Sequence, residues 1–287
     1  MNKPLPVMNP YNEPEAGQWA VAIEGAQCCD ADMDGRGVLA AFDERGVVQR
    51  GPGVVVEGDL HAVRVVASGE GWSGVTWSDL ADADVDAVIA AQVARFAAAG
   101  QPWEWKFYSC DQPATLPGRL EAAGLVPDEV EALMVAQISD LDLAVPPPEG
   151  VELVQVDDER GVRALVQVHD LVFGDDHGPM GREVLAGLRR QPRPVEAVVA
   201  MADEAPVAAG RVNFHEGTEF ASLWGGGTLP AWRGRGVFRA LVSHRAAAAQ
   251  ARGFRYLQVD ASPNSRPILQ RLGFIELATT TPYKLRR

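Results

Sequence analysis

The residues with the clearest chemical potential are Arg233-Gly234-Arg235-Gly236, set between an apolar strand pattern and a helix pattern. The strand pattern ends at Thr228-Leu229-Pro230, and the helix carries Phe238, Leu241, Val242 and Arg245 at helical spacing. Glycines let a backbone approach a bulky anion closely. The free N–H groups of a helix's first turn, together with its dipole, favour negative charge there. Arg233, Arg235 and Arg239 add positive charge around the turn. Such a turn suits a phosphate or pyrophosphate, with a solvated basic surface as the plain alternative. Neither G-x-x-x-x-G-K-[ST] nor a strand-borne G-x-G-x-x-G is present. Just upstream lie three consecutive glycines, Gly225, Gly226 and Gly227. Glycines weaken a strand, so they point to a bulge, to close approach by a ligand, or to both.

The elements that must position this turn are legible on either side. Strand patterns fall at 151–156, 195–201, 206–215, 219–226, 255–262 and 279–285. Helix patterns fall at 159–173, 182–190, 238–253 and 266–273, with a polar loop at 174–181 and a turn at Glu204-Ala205-Pro206. Helices alternating with strands around a central hairpin predict a mixed α/β (α+β) sheet covered on both faces. The first half offers strands at 53–58, 61–68 and 73–80, a helix at 84–100, a strand at 103–109, a helix at 116–124 and a strand at 129–138. Its last four pieces echo the order near the chain's end, which reads as a degenerate repeat of about 150 residues, hence tandem domains. Pro146, Pro147 and Pro148 cannot continue a helix or sit in a central strand. The expected division is 1–145, a proline linker at 146–150, and 151–287.

The net charge of −13 is uneven. Residues 1–148 hold 8 Lys and Arg against 23 Asp and Glu, while the remainder hold 18 against 16. An acidic first half argues against nucleic acid as a partner. No run approaches the ~20 apolar residues of a membrane span, and the first residues lack a signal-peptide core, so a cytoplasmic protein is expected. Cys28, Cys29 and Cys110 show no zinc spacing. Asp30, Asp32, Asp34 and Gly35 spell the start of a calcium loop, but Ala41 stands where its bidentate Glu belongs. No metal is expected.

Residues 225–253 resemble the GNAT acyltransferases, whose cofactor motif is Arg or Gln, two residues, Gly, one residue, then Gly or Ala. Arg233 to Val237 fit it, and Phe238 replaces the small residue usual at the end. Leu229-Pro230 before it, Ala240-Leu241 after it, and Leu272-Gly273-Phe274 at the end of a later helix fit as well. The resemblance covers about 150–287, and the whole looks like a tandem GNAT protein whose first half is a worn copy that has lost the cofactor motif.

That resemblance implies an N-acetyltransferase using acetyl-CoA, with a primary amine of a small molecule or protein attacking the thioester directly. It places pantetheine against Gly226, Gly227, Thr228 and Leu229, and pyrophosphate among Gly234, Arg235, Gly236, Val237, Phe238 and Arg239. Many relatives place a Glu base where this chain has Ser222, and a Tyr acid where it has Leu269. Replacement candidates are Tyr283 as acid, Glu219 or His215 as base through water, and Ser222 holding that water. Asp175, Asp176 and His177 lie where the family builds its acceptor site, and a solvated polar loop is the alternative. His169 reads as packed or capping. A non-catalytic CoA sensor or scaffold is the rival reading, and an acidic first half that docks a protein is a third.

Overall fold

The computed structural model describes residues 37–42, 54–58, 61–67, 72–100 and 102–285. Cys28, Cys29 and the calcium-like turn at Asp30–Gly35 lie outside the described residues.

The first half runs α1 (37–42), β1 (Val54–Gly58), β2 (Ala62–Ala67), β3 (Gly74–Ser78), α2 (Val85–Ala99), β4 (Glu104–Tyr108), α3 (Leu116–Ala122), β5 (Leu125–Pro127) and β6 (Glu131–Gln137). The second runs β7 (Glu152–Gln155), α4 (Glu159–Phe173), α5 (Gly178–Leu188), β8 (Val195–Ala202), β9 (Ala205–Phe214), β10 (Phe220–Thr228), α6 (Val237–Ala251), β11 (Tyr256–Ala261), α7 (Arg266–Arg271) and β12 (Ile275–Leu285). Most boundaries fall within a residue or two of the sequence reading. Three differ. Helix α5 opens at Gly178 with Pro179 in its first turn, so only Gly174–His177 of the expected loop remains a loop. Proline suits that position because the first N–H is unused anyway. The β8–β9 turn is centred on Asp203 and Glu204, both at positive φ, and Ala205-Pro206 already belong to the strand. The final strand is longer than expected, because the residues after Phe274 continue directly into it.

The strands form one sheet in the order β1-β2-β3-β4-β12-β6-β11-β10-β9-β8-β7, with β5 beside the end of β12. Pairings are antiparallel except β3 with β4 and β10 with β11. Each half thus contains a parallel pair joined through a helix, α2 or α6. The strand that lies against each parallel pair comes from the other half. β6 pairs along β11, from Tyr256↔Gln137 to Ala261↔Ala132. β12 pairs along β4, from Thr280↔Tyr108 to Lys284↔Glu104, and then with β6 on its other side.

The alternation of side chains divides this seam cleanly. Ala132, Met134 and Ala136 of β6 join Leu257, Val242 and Ala246 under α6 and α7. Leu133 and Val135 point to the other face, where they meet Phe220, Tyr256 and Phe42 of α1. The first half's own core holds Trp105, Phe96 and Leu120, with Tyr283 of β12 among them. The stretch just before the prolines is tied to the second half. Leu141 and Leu143 pack on the α6 core, and Val145 N donates to Ser243 Oγ at 3.2 Å.

An unpaired strand edge leaves backbone groups unsatisfied. Segments 1–150 and 151–287 produced separately should each lack a cooperative transition in urea followed by circular dichroism. The intact chain should unfold in one step, and two independent transitions would contradict the shared seam.

Candidate active site

β10 and β11 begin side by side and then part. Their parallel pairing covers Phe220↔Tyr256, Ala221↔Leu257 and Ser222↔Gln258 and goes no further. On its other edge, β10 slips register against β9 between Trp224 and Gly227. The three glycines permit this by admitting side chains from both faces. A Cβ on Gly225, whose φ is 57°, would lie 2.4 Å from His169 of α4. One on Gly226 would meet Phe238 of α6 at 3.0 Å, and one on Gly227 would meet Val172 of α4 at 3.0 Å. The bulge is therefore real, and the chain's own side chains supply the close approach.

The parting leaves a cleft of about 220 Å³, lined among others by Lys106, Glu131, Trp224, Gly226, Arg245 and Asp260. Arg245 is 2% exposed, donates from Nε to Leu241 O at 2.9 Å and from Nη1 to Arg211 O at 3.3 Å, and has no carboxylate partner among the described residues. Burial, and then the charge of Arg211, bring its pKa down to about 9. Thr228 is also buried, and its Oγ1 has no partner among the described residues.

Beyond Thr228 the chain turns through Pro230–Trp232 into α6. Arg233 Nε donates to Thr228 O at 3.0 Å and pins the turn. Arg235 lies over the Trp232 ring at 4.8 Å, and Arg239 is exposed in the helix's first turn. Gly236 sits at the helix start with φ 90°, a conformation that favours glycine, and no side chain caps the first turn. Val237 and Leu241 fix the helix to β8 and β9. The result is an open, basic helix N-terminus continuous with the parted strand.

Also lining the cleft, Lys106 of β4 is hydrogen-bonded to Asp260 of β11. Burial alone would lower the lysine's pKa, but Asp260, with Tyr108, Glu131 and Glu104, holds it above the ordinary lysine value. Glu131 of β6 is largely buried, and burial raises its pKa to about 7, against the pull of Lys106 and with help from Asp260, Glu104 and Asp128. The Trp224 ring lies 5.6 Å from Lys106 Nζ and 5.8 Å from the Arg211 guanidinium carbon.

Residues 163–274 match the model of the Acetyltransferase (GNAT) family. They form a GNAT domain. Comparison with curated proteins gave no match. Among solved structures, the chain is similar to a GCN5-related N-acetyltransferase from Kribbella flavida, at 18% identity and TM-score 0.64, over 90% of this chain and 97% of that one. It is similar to a tandem GNAT protein from the clavulanic acid biosynthesis pathway, at 11% identity and TM-score 0.53, over 85% and 87%. A GCN5-related N-acetyltransferase from Sphaerobacter thermophilus aligns at 16% identity and TM-score 0.54, over 80% and 83%. These likenesses establish the fold.

None of the four sequence-selected catalytic candidates lines the cleft. Tyr283 lies in the first half's core, edge-on to Phe107, because β12 crosses into that half. Glu219 is exposed in the β9–β10 turn and ion-paired to Arg255 at 3.5 Å. His215 and Ser222 are buried, with Nε2 and Oγ 2.7 Å apart, and Trp224 Nε1 donates to the same Oγ at 2.7 Å. That chain orients Trp224, but neither His215 nor Ser222 lines the cleft. Leu269 does line it. Asp175, Asp176 and His177 form the loop before α5. Gly178 N donates to Asp176 Oδ1 at 2.8 Å, and His177 Nδ1 lies 3.1 Å from Asp170 Oδ1. His177 also stacks at a tilt on Phe173, which lines the cleft, so the loop sits at its rim. His169 is packed, as read from the sequence, and burial, then Arg211 and His177, lower its pKa to about 4.

Lys106, Glu131 and Asp260 escaped the sequence reading. Two of them lie in the half that lacks the cofactor motif, far from Trp224 in sequence. The signal was present: Lys106 interrupts the apolar strand Trp103–Tyr108, and Asp260 interrupts Tyr256–Ala261.

Gly225→Ala combines a positive φ with a steric conflict and should cost about 2–4 kcal/mol in urea unfolding. A loss below about 0.5 kcal/mol would contradict the packing of His169 on the strand. Glu131 offers a pH test. Its folded pKa lies above the ~4.3 of an unfolded Glu, so its contribution is fully present below that value and is lost as pH rises through about 7. The melting temperature of Glu131→Gln relative to wild type should therefore climb between pH 5 and pH 8. Parallel curves would contradict the assignment.

Proposed function

We propose that the chain is an N-acetyltransferase that moves an acetyl group from acetyl-CoA to a primary amine, on a small molecule or a protein amino group, by direct attack. One observation carries the reading: a parted β10–β11 pair runs directly into an uncapped, arginine-flanked helix N-terminus. The amides from Gly234 to Arg239 would hold the pyrophosphate, with Arg233, Arg235 and Arg239 supplying charge. Gly226, Gly227, Thr228 and Leu229 would face the pantetheine arm. The orphaned Thr228 hydroxyl and the uncompensated Arg245 guanidinium suit an oxygen-rich ligand there. When bound, acetyl-CoA supplies an activated thioester; the protein must orient the amine and accept its proton. The rim loop with Asp175, Asp176 and His177 would meet a cationic acceptor. No metal takes part in this reading, and neither nucleic acid nor membrane is a partner.

The division into 1–145, a linker at 146–150 and 151–287 belongs to the same proposal, with the first half a degenerate GNAT copy. The matching arrangement of β3, α2 and β4 with β10, α6 and β11 supports it. A cytoplasmic location fits this chemistry, since acyl-CoA is met there; no helix among the described residues is long and apolar enough to cross a membrane.

The second reading is a non-catalytic CoA-binding sensor or scaffold. Ser222 and Leu269 at the usual acid–base positions, and the burial of Tyr283, favour it. Release of free CoA with any amine excludes it.

Titration calorimetry with acetyl-CoA tests the cofactor site. Arg235 and Arg239 are both exposed, so Arg235→Glu with Arg239→Glu should leave the melting temperature nearly unchanged. The pair should weaken binding by about 100-fold, on the order of tenfold per reversed charge. Equal affinity would move the phosphates elsewhere, and no binding by the wild type would remove the cofactor reading.

A further inference from the structure

The cleft is furnished by both halves of the chain. Most of its lining belongs to the GNAT domain, but Lys106 and Glu131 are brought by β4 and β6. β6 reaches it because it lies along β11, where Ala132 faces Ala261 at the end of the pairing. Glu131 is the next residue outward, and its backbone faces Thr280 of β12.

The charged groups around Glu131 are committed elsewhere. Asp260 of β11 accepts from Lys106 of β4 and from Gln258 Nε2 at 3.2 Å. Glu104 of β4 and Asp128, before β6, both pair with Lys284 of β12. Of the two cleft-lining carboxylates, Glu131 is the one whose side chain has no hydrogen bond or ion pair among the described residues. It is also largely desolvated, with Trp224 and Gly226 lining the same cleft.

We infer that Glu131 is the proton acceptor for the attacking amine, a role the first half supplies to the GNAT domain through the exchanged strand. This rests on the acetyltransferase reading above. An ammonium acceptor entering the cleft gives one proton to the Glu131 carboxylate. The freed nitrogen lone pair forms the C–N bond with the acyl carbon, and the C–S bond breaks. The remaining ammonium proton passes to the thiolate, and Glu131 returns its own proton to solvent. The half-ionised state of Glu131 near neutrality matches such a base to its task. Lys106 stays protonated beside it and donates to Asp260, so the pair keeps its shape while Glu131 titrates.

The test uses the full-length chain, acetyl-CoA, and CoA-thiol release with a panel of primary amines and with water as the minimal acceptor. Wild-type kcat/KM should rise along a limb with a midpoint near pH 7. Glu131→Gln should lower it by about 10²- to 10⁴-fold and abolish the limb, with acetyl-CoA affinity by calorimetry unchanged within about twofold. Glu131→Asp keeps a carboxylate and should restore the limb at a reduced rate, which a purely structural role would not do. Turnover of Glu131→Gln within about threefold of wild type, with the limb intact, overturns the assignment. So does acetyl-CoA binding by the wild type with no thiol release at any pH. Failure of the wild type to bind acetyl-CoA instead strikes the acetyltransferase reading itself.

Discussion

The structure depends on one exchange: the strand flanking each parallel pair comes from the opposite half. β11 and β4 each carry a row of amides and carbonyls facing away from their parallel partner. Those groups must be paired once buried. β6 pairs those of β11 and β12 pairs those of β4, and the two exchanged strands then pair with each other. The seam is the middle of the sheet, with Leu133 and Met134 of β6 fully buried on opposite faces. Neither half completes its core without the other.

The same exchange determines what reaches the cleft. β12 takes Tyr283 away into the first half's core, while β6 and β4 bring Glu131 and Lys106 the other way. The parting of β10 from β11 then needs glycines, because His169, Phe238 and Val172 press on the strand from both sides. The basic turn beyond it is held by Arg233 on Thr228 and by the packing of Val237 and Leu241. Lys106 and Glu131 of the first half thus join a cleft whose remaining lining comes from the second.

Much of this was legible in the residues. The Arg233–Gly236 turn, the α6 pattern and the Leu272-Gly273-Phe274 ending gave the GNAT resemblance, and the family match at 163–274 agrees. Helix α4 falls on the expected residues because Asp158 accepts from Gly161 N and Gly174 ends it in a left-handed conformation. The strand exchange was not legible. Hydrophobic alternation says which residues of β6 face a core but not which neighbouring strand they face. Hence the sequence offers Tyr283, in the last strand, as a candidate acid and gives no reason to bring Glu131 to the cleft. Ser222 and His215, expected as base and water holder, are hydrogen-bonded to each other, and Trp224 Nε1 donates to the same Ser222 Oγ.

The most direct measurement is hydrogen exchange of the intact chain with and without saturating acetyl-CoA. The account predicts protection confined to β10 beyond Ser222, the turn through Gly236 and the first turn of α6, with a smaller effect at the Glu131 end of β6. Saturating acetyl-CoA that leaves these segments unprotected, or protects only residues remote from the β10–β11 parting, would contradict it.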